Sequence, residues 1–462
     1  MISHRILEPY KIEVAQSQFV GAHVFSYNNN NLLIEKCGHI ILVDNIILEK
    51  IKMQDIDEDL FIKLMQRNFI KSDLQIECSI AEKTVRPDFF MIDFTKRCNM
   101  SCRYCFRENE NSFETTITKS SLYYICEFII NYCKENSVER IMIQPWGGEP
   151  LLELDKIYYM QDILIDGGIE SCISIETNGL LINEKTAEEL EKRNITIGVS
   201  LDGIKEVHDL QRVKFDNSGT FEKVINGIKV LQNKIGNEFG IIMTITKNSI
   251  PYIEESLNFF AKKLKVNYVK VNFVHKSDFI TNDDLCLSSN EIKDCALTIF
   301  YVIMKLNEEG YDFYESNIQI RLLNLLGLRN SSICCSCGCS GGKRMIAFDR
   351  LGNVYPCELT DYPEERIGNI AENRSLVNMI NDAVSEKDYF IEKKEEKCNE
   401  CPWYYYCQGG CTVQAKCGGK KVGEVDDMEC ICNLVWYHEL VKMILEKPDV
   451  VNHFLNSDVI KF

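Results

Sequence analysis

The chain has 462 residues, of which 45% are hydrophobic and 26% are charged, so it is long enough and apolar enough for several folded domains. Its formal net charge of −17 argues against nucleic acid as the main partner, since phosphate binding requires a basic surface. No apolar run is long enough to cross a bilayer, and the first residues lack a signal-peptide pattern, so we expect a cytoplasmic protein with no membrane partner.

Residues 1–85 predict a small α+β unit ahead of the rest of the chain. Short apolar strands are expected at residues 24–27, 32–34 and 40–43, and helical spacing follows at residues 45–53 and 59–66. A three-stranded sheet with helices in this order is typical of a winged-helix-like domain. One interpretation is that this unit has only a structural role and covers part of the larger domain.

Residues 86–310 alternate between strand and helix patterns. Strands are predicted at residues 89–94, 140–144, 171–176, 196–201, 240–245 and 268–274, with amphipathic helices such as 121–133, 184–192 and 221–232 between them. Repeated β–α units predict an α/β fold with a parallel sheet, and six of them fit a partial TIM-type (β/α)6 barrel. In such a barrel the ligand lies at the carboxyl ends of the strands.

Three thiols follow the first predicted barrel strand. Cys98, Cys102 and Cys105 have the spacing C-x3-C-x2-C on one short loop. In a reducing compartment, clustered thiols favour a metal site over disulfides. Three thiolates can hold three irons of a cubane and leave the fourth iron open, as a reactive site requires, whereas a zinc loop is the alternative.

Glycine-rich and polar motifs follow the next three predicted strands. They are Gly147, Gly148, Glu149 and Pro150 after the second strand, Thr177 and Asn178 after the third, and Ser200, Asp202 and Arg212 after the fourth. The paired glycines allow the backbone to approach a ligand closely, and Glu149 can accept from an ammonium. Ser200 offers a hydroxyl to a ribose, and Arg212 offers a fork of donors to a carboxylate.

Residues 311–432 begin as helix and become rich in cysteine, and residues 433–462 form a tail with one predicted helix at 434–445. Short strands are expected at residues 345–348 and 354–355, and the region is expected to fold around its metal. The candidate ligands are Cys334, Cys335, Cys337, Cys339, Cys357, Cys398, Cys401, Cys407, Cys411, Cys430 and Cys432. A zinc knuckle is the alternative to iron–sulfur clusters.

The three-thiol loop and the motifs behind it resemble the radical S-adenosylmethionine (SAM) superfamily. The resemblance implies that the open iron binds the amino and carboxylate groups of SAM. Reduction of the cluster would then cleave SAM to methionine and a 5′-deoxyadenosyl radical that abstracts hydrogen. The resemblance also implies that Tyr104 contacts adenine and that the glycine-rich and polar motifs contact the cofactor.

The later cysteines resemble the SPASM extension of radical enzymes that act on peptides, which usually carries two auxiliary [4Fe–4S] clusters. By this resemblance, one cluster uses Cys339, Cys357, Cys411 and an upstream thiol, with Cys337 preferred over Cys334 and Cys335. The other uses Cys398, Cys401, Cys407 and either Cys430 or Cys432, with Cys430 preferred. The enzyme would hold three [4Fe–4S] clusters, and one auxiliary cluster could keep an open iron for a substrate thiolate.

The resemblance implies a radical SAM oxidoreductase that modifies a ribosomally made precursor peptide. Residues 1–85 resemble a small domain to which a leader peptide adds as a strand, with residues 40–43 as the expected edge. The expected product is a thioether formed from a substrate Cys; a C–C crosslink or an oxidation is an alternative. Glu358, which follows Cys357, is the candidate base, and a flavodoxin- or ferredoxin-type protein is the expected reductant.

Two other functions stay open. A sulfatase maturase would oxidise Cys or Ser to formylglycine and would not need a leader-binding domain. A scaffold or electron-transfer protein would have closed clusters, and the three-thiol loop argues against it. A neighbouring gene for a short Cys-containing peptide favours the thioether maturase, and a neighbouring sulfatase gene favours the sulfatase maturase.

Overall fold

The computed structural model describes residues 9–12, 19, 21–70, 85–107, 115–274, 276, 283–327, 339–360 and 363–447. Within these ranges the chain forms an N-terminal antiparallel sheet domain and a large, mostly parallel sheet with helices. None of the helices described there is both long enough and apolar enough to span a membrane. Three predicted candidate ligands, Cys334, Cys335 and Cys337, lie outside the described residues.

Over its described residues, the N-terminal domain is a four-stranded antiparallel sheet with two helices. Its elements are β1 (Tyr10–Ile12), β2 (Ala22–Tyr27), β3 (Asn30–Glu35), β4 (Ile40–Asp44), α1 (Asn45–Met53) and α2 (Glu58–Gln66), and the strands are in chain order. Asp44 and Asp57 start the two helices, because each side chain accepts from a backbone N–H of the first turn. The sequence predicts three of these strands; β1 is missed because only one of its three residues is buried.

Six parallel strands form the centre of the large sheet, close to their predicted ranges. They are β5 (Phe89–Thr95), β6 (Arg140–Gly147), β7 (Glu170–Thr177), β8 (Thr196–Ser200), β9 (Gly240–Ile245) and β10 (Tyr268–Phe273). The helices between them are α3 (Lys119–Glu135), α4 (Leu154–Asp166), α5 (Glu184–Lys192), α6 (Lys205–Gln211), α7 (Phe221–Ile235) and α8 (Ile253–Asn258). This arrangement confirms the predicted α/β barrel-type fold.

The sheet continues beyond these six strands on both sides. β11 (Tyr314–Glu315) joins β10 in parallel, β12 (Met345–Phe348) joins β5 in parallel, and β13 (Asn353–Tyr355) and β14 (Gly368–Asn369) follow antiparallel. Among the described residues the order is β11-β10-β9-β8-β7-β6-β5-β12-β13-β14, so the sheet is open rather than a closed barrel. The cysteine-rich region therefore begins as an extension of the barrel sheet.

The remaining α-helices of the described ranges belong to the C-terminal half. They are α9 (Ser289–Glu308), α10 (Ser316–Leu325), α11 (Leu376–Glu386), α12 (Tyr404–Cys407), α13 (Thr412–Cys417) and α14 (Asp427–Glu446). The last helix begins before its predicted start at residue 434 because Asp426 caps it. The carboxylate of Asp426 accepts from the N–H of Met428 at 3.0 Å and from that of Glu429 at 3.4 Å.

The N-terminal domain packs against the C-terminal part of the chain. Phe25 of β2 stacks on Trp403 with ring centroids 5.3 Å apart, and Trp403 stacks on Tyr437 of α14 at 5.2 Å. The hydroxyl of Tyr406 donates to the carbonyl of Gly38. These contacts place the N-terminal sheet beside the cysteine-rich region.

Candidate active site

The loop that carries the first three thiols follows β5 and is held at two points. The backbone N–H of Ser101 donates to the carbonyl of Val213 at 2.8 Å. The N–H of Arg103 donates to the carbonyl of Gln211 at 2.9 Å. The thiols, which range from half-buried to exposed, are Cys98, Cys102 and Cys105. The loop therefore presents all three at the carboxyl end of β5, where the fold predicts a ligand.

Gly147 and Gly148 pack closely against the backbone where the thiol loop begins. A Cβ at Gly147 would overlap the carbonyl oxygen of Thr95, and one at Gly148 would overlap that of Arg97. The N–H of Gly148 donates to the Thr95 carbonyl at 2.6 Å. The sequence predicts that these glycines admit a ligand. The structure shows that they admit the backbone at the start of the thiol loop, which packs directly against the end of β6.

Glu149 joins the ends of β6 and β7. Its side chain is buried and accepts from the Thr177 hydroxyl at 2.6 Å, from the Asn178 N–H at 2.8 Å and from the Leu151 N–H at 3.0 Å. Burial raises the pKa of Glu149, and these hydrogen bonds oppose the rise. The next residue, Pro150, begins a 3-10 turn. The carboxylate that the sequence predicts as an ammonium acceptor is thus largely engaged in joining two strand ends.

Asn178 connects the motif after β7 with the thiol loop. Its Nδ2 donates to Oδ1 of Asn99 at 2.6 Å and lies 3.7 Å from Sγ of Cys98. An N–H directed at a cysteine sulfur stabilises the thiolate and is typical of iron–sulfur sites. The sequence does not predict this role for Asn99, because no sequence motif marks an asparagine between two cysteines as a contact of a later loop.

Tyr104, Asp202 and Arg212 form one hydrogen-bonded group. The Tyr104 hydroxyl donates to Oδ2 of Asp202 at 2.7 Å and accepts from Nη1 of Arg212 at 2.5 Å. Asp202 is fully buried and also accepts from the N–H of Thr244 at 3.0 Å. Burial raises the pKa of Asp202, and the Arg212 guanidinium opposes the rise. Among the described residues nothing accepts from the buried Nε of Arg212, so this donor can serve a ligand.

Ser200 ends β8 beside this group. It is only partly buried, whereas its neighbours Val199 and Leu201 are fully buried in the core. Because side chains alternate along a strand, Ser200 faces the opposite, inner surface of the sheet. Its hydroxyl lies at the carboxyl end of the strand, as the sequence predicts.

Cys339, Cys357 and Cys411 gather around the buried Tyr389 and are called the Tyr389 thiol group below. The Tyr389 hydroxyl is 3.2 Å from Sγ of Cys339. Burial raises the pKa of Tyr389, and the charges of the three thiols raise it further. The N–H of Leu359 donates to Sγ of Cys357 at 3.3 Å. No motif marks Tyr389 in the sequence, so only the fold reveals this residue.

A second set of thiols, called the Cys430 thiol group below, consists of Cys398, Cys401, Cys407 and Cys430. Cys430 interacts electrostatically with Cys398 and Cys401, and Cys407 interacts with Cys430. Within the described ranges, no three His, Cys, Asp or Glu side chains converge tightly enough to bind a single metal ion. Thiolates on a cubane bind different irons and need no such convergence.

Cys432 does not join this group. Residues two apart on a helix point about 200° apart, so Cys430 and Cys432 of α14 cannot face the same cluster. Cys432 is 3% exposed and lies near Glu429 and Arg321 instead. The structure therefore distinguishes two cysteines that the sequence left as alternatives.

Two parts of the chain match known families. The radical SAM superfamily matches residues 92–260, and the SPASM iron–sulfur cluster-binding domain matches residues 337–402. The chain contains a radical SAM domain and a SPASM domain. It is a radical SAM enzyme that binds SAM and iron–sulfur clusters.

This radical SAM enzyme is similar to sulfatase-maturating enzymes and to a protein that has been solved with a precursor peptide. A cysteine-type anaerobic sulfatase-maturating enzyme of Clostridium novyi (strain NT) is 28% identical over 336 residues, which are 69% of this chain and 85% of that enzyme. The solved structure of anSMEcpe with bound AdoMet and Cp18Cys peptide is 21% identical, with a TM-score of 0.67, and covers 80% of this chain and 100% of its own. Streptococcus suis SuiB bound to precursor peptide SuiA is 20% identical, with a TM-score of 0.55, and covers 93% of this chain and 99% of its own. The two structures share the fold of this enzyme.

The residues of the radical SAM domain fit its cofactors. Three thiols share one loop, Asn178 directs an N–H at Cys98, and Arg212 offers an unused donor that suits the carboxylate of SAM. Burial raises the pKa of Cys98 to about 11 and that of Cys102 to about 12. The protein alone therefore keeps both sulfurs protonated, and bound iron would be needed to stabilise the thiolates.

Tyr104→Phe is expected to weaken SAM binding roughly tenfold. A hydrogen bond to a charged group contributes about 1.5–3 kcal/mol, and this variant leaves Arg212 without the hydroxyl that holds it beside Asp202. Equilibrium binding of SAM to the anaerobically reconstituted enzyme measures the effect. Iron content should stay at the level of the unaltered enzyme, and an unchanged Kd would show that Tyr104 does not position Arg212.

Proposed function

We propose that this enzyme matures a ribosomally made precursor peptide and that its main product is a thioether formed from a substrate Cys. One observation carries the proposal: a sheet domain whose strand β4 pairs on one side only among the described residues is docked beside the Cys430 thiol group of a radical SAM enzyme. The leader part of the peptide would bind to the other side of β4. A flavodoxin- or ferredoxin-type protein would supply the electrons.

The free edge is strand β4. Within the described residues β4 pairs with β3 alone, so the backbone groups on its other side are not used by the sheet. Leu42 on this strand is 50% exposed, and Ile46 at the start of α1 is 70% exposed. An extended leader could add to β4 through backbone hydrogen bonds and pack apolar side chains on Leu42 and Ile46.

The similarity to SuiB supports a peptide substrate. The SuiB structure contains the precursor peptide SuiA, and its alignment covers 93% of this chain, compared with 80% for anSMEcpe. The additional coverage is consistent with a shared unit beyond the barrel and the cysteine-rich region, and the N-terminal sheet domain is a unit of that kind.

The proposed reaction removes two hydrogens from the peptide. One C–H bond and the S–H bond of a Cys break, and one C–S bond forms; the thiol hydrogen leaves as a proton, and one electron must leave the peptide. When bound, the cluster on the first loop and SAM supply the radical that abstracts hydrogen, and auxiliary clusters supply electron acceptors. The Tyr389 thiol group would hold one auxiliary cluster, with a further thiol from outside the described residues, and the Cys430 thiol group would hold the other.

Glu358 is the group that we propose takes the proton of the substrate thiol. It follows Cys357, and its carboxylate interacts with Lys270 on β10, with Glu176 on β7 and with Arg107 behind the first thiol loop. Lys270 and Glu176 form an ion pair at 3.5 Å. These interactions support a position for Glu358 between Cys357 and the barrel strands, and we propose that a peptide side chain reaches it there.

Glu358→Gln keeps the size of the side chain and removes the proton acceptor. Peptide product is expected to fall at least about a hundredfold, while uncoupled formation of 5′-deoxyadenosine continues. Co-expression with a Cys-containing peptide encoded beside the gene, followed by mass spectrometry, measures the loss of two hydrogens per crosslink. The exposed Glu364, changed to Gln, is the matched control. Unaltered product formation would leave Glu358 with a structural role only.

Formylglycine formation in a sulfatase is the second candidate function. The 28% identity to the sulfatase-maturating enzyme of C. novyi favours it. Formylglycine formation would use the same barrel, the same thiol groups and the same candidate base. This function would leave the edge of β4 without a role. Incubation with a sulfatase-derived peptide containing Cys or Ser, and mass analysis for an aldehyde, separates the two functions.

A further inference from the structure

A cavity of about 890 Å³ lies beside the Tyr389 thiol group. Tyr389 forms part of its wall, and the hydroxyl of this tyrosine is 3.2 Å from Sγ of Cys339. Thr412, which directly follows Cys411, forms another part of the wall. Among the described residues, none that lines the cavity belongs to the SAM-binding motifs or to β4. Its volume is in the range of pockets that hold an organic molecule or a short peptide segment.

Lys393 places a buried charge in the wall of this cavity. The residue is 8% exposed, and its Nζ donates to Oγ1 of Thr412 at 2.9 Å. No carboxylate in the described part of the chain forms an ion pair with this ammonium. A hydroxyl occupies one of its three donors and does not neutralise the charge. A buried charge without a counter-ion lowers stability, so Lys393 is poised for an anion that comes from outside the chain.

Other lysines around the cavity already have acidic partners. Lys416 pairs with Glu365 at 2.8 Å, and Lys420 pairs with Asp427 at 2.7 Å. Of the described residues, five lysines and four glutamates line the cavity, which leaves one positive charge in excess within a chain of net charge −17. One carboxylate would balance this excess. A doubly charged phosphate would exceed it and would be repelled by the glutamates.

Two apolar side chains in the lining are exposed. Ile391 is 46% exposed and Val422 is 57% exposed. A ligand that carries apolar groups next to its charge would remove this surface from water, which favours binding. A small inorganic anion would bury little of it and would fill little of the cavity. An acidic residue flanked by apolar residues in a peptide satisfies both the charge and the apolar surface.

We propose that this cavity binds a carboxylate on an apolar, acidic segment of the precursor peptide, and that Lys393 forms the ion pair with it. The identity of the peptide rests on the proposed function. The carboxylate would approach Nζ of Lys393 from the cavity, on the donors that Thr412 does not use. A segment bound in this way would lie against Tyr389, next to the auxiliary thiols.

Lys393→Met keeps the length of the side chain and removes its charge. Fluorescence anisotropy of a labelled synthetic precursor peptide, with the anaerobic, iron-loaded enzyme, is expected to show a Kd at least about tenfold higher. The melting temperature Tm should stay the same or rise, because an apolar side chain replaces an unpaired buried charge. Lys394→Met removes the same charge from the exposed neighbouring residue, which does not line the cavity, and should leave the Kd unchanged. Iron content should be equal in all three proteins.

Sodium hexanoate, a free carboxylate with a short apolar chain, is the second probe. It should raise the Tm of the unaltered enzyme and of Lys394→Met, but not that of Lys393→Met. If Lys393→Met abolishes only the effect of hexanoate and leaves the peptide Kd unchanged, the peptide assignment is overturned in favour of a free carboxylic acid. If neither probe depends on Lys393, or if Lys393→Met lowers the Tm, the residue is structural and the whole inference fails. The hexanoate measurement needs no peptide, so failure of the cavity is distinguishable from failure of the proposed function.

Discussion

The triple variant Cys98→Ala, Cys102→Ala, Cys105→Ala is expected to lose one [4Fe–4S] cluster and all formation of 5′-deoxyadenosine. The three thiols lie on a single loop that carries no other described thiol. We therefore expect that no other cysteine can replace them as ligands of this cluster. The two auxiliary thiol groups are built on other elements and should retain their iron. Iron and sulfide analysis, with chromatography of the products after chemical reduction, measures both effects.

The matched control removes three thiols from the helical core. Cys126 and Cys133 of α3 and Cys295 of α9 are each at most 2% exposed and lie outside the thiol groups. Their replacement by alanine should lower stability somewhat and leave iron content and SAM cleavage in place. Continued SAM cleavage in the Cys98, Cys102, Cys105 variant would contradict the assignment of the first cluster.

Leu42→Lys is expected to weaken binding of the leader peptide roughly tenfold and to leave uncoupled SAM cleavage unchanged. The change removes exposed apolar surface from β4 and places a charge on the edge, which is how natural sheets discourage an added strand. Because Leu42 is half exposed, the fold should tolerate the substitution. Fluorescence anisotropy of a labelled synthetic leader measures the affinity.

The control for this variant is Tyr10→Lys, which adds the same charge to the opposite edge strand β1, where Tyr10 is 40% exposed. Its leader affinity should match that of the unaltered enzyme. A normal affinity in Leu42→Lys would remove β4 as the binding edge, and a loss confined to Tyr10→Lys would assign the peptide to β1. Deleting the whole domain is less informative, because Phe25 stacks on Trp403 and its removal would open the shared core.

The sequence was sufficient for the features that are local in the chain. The six central strands were predicted because buried parallel strands appear as short apolar runs between helical patterns, and β5 is buried along its whole length. The first thiol loop was recognised because its three thiols lie within eight residues of one another. The motif after β6 was found because a pair of glycines before an acid is a distinctive local pattern.

Features that depend on distant residues needed the tertiary structure. Pairing of β12 with β5 joins segments more than two hundred residues apart, and no local pattern specifies such a partner. Tyr389 reaches the thiols of Cys339 and Cys411 only after the chain has folded around them.

The sequence by itself indicated the type of chemistry: thiols in ligand spacing and polar motifs at strand ends carried the resemblance to radical SAM enzymes with a SPASM domain, because ligand identity and short spacing are local properties. Only the tertiary structure placed Cys430 near Cys398 and Cys401, put Cys432 on another face of α14, and directed the amide of Asn178 at Cys98. A helix face and the direction of an amide are set by what packs against them, and those partners come from distant parts of the chain.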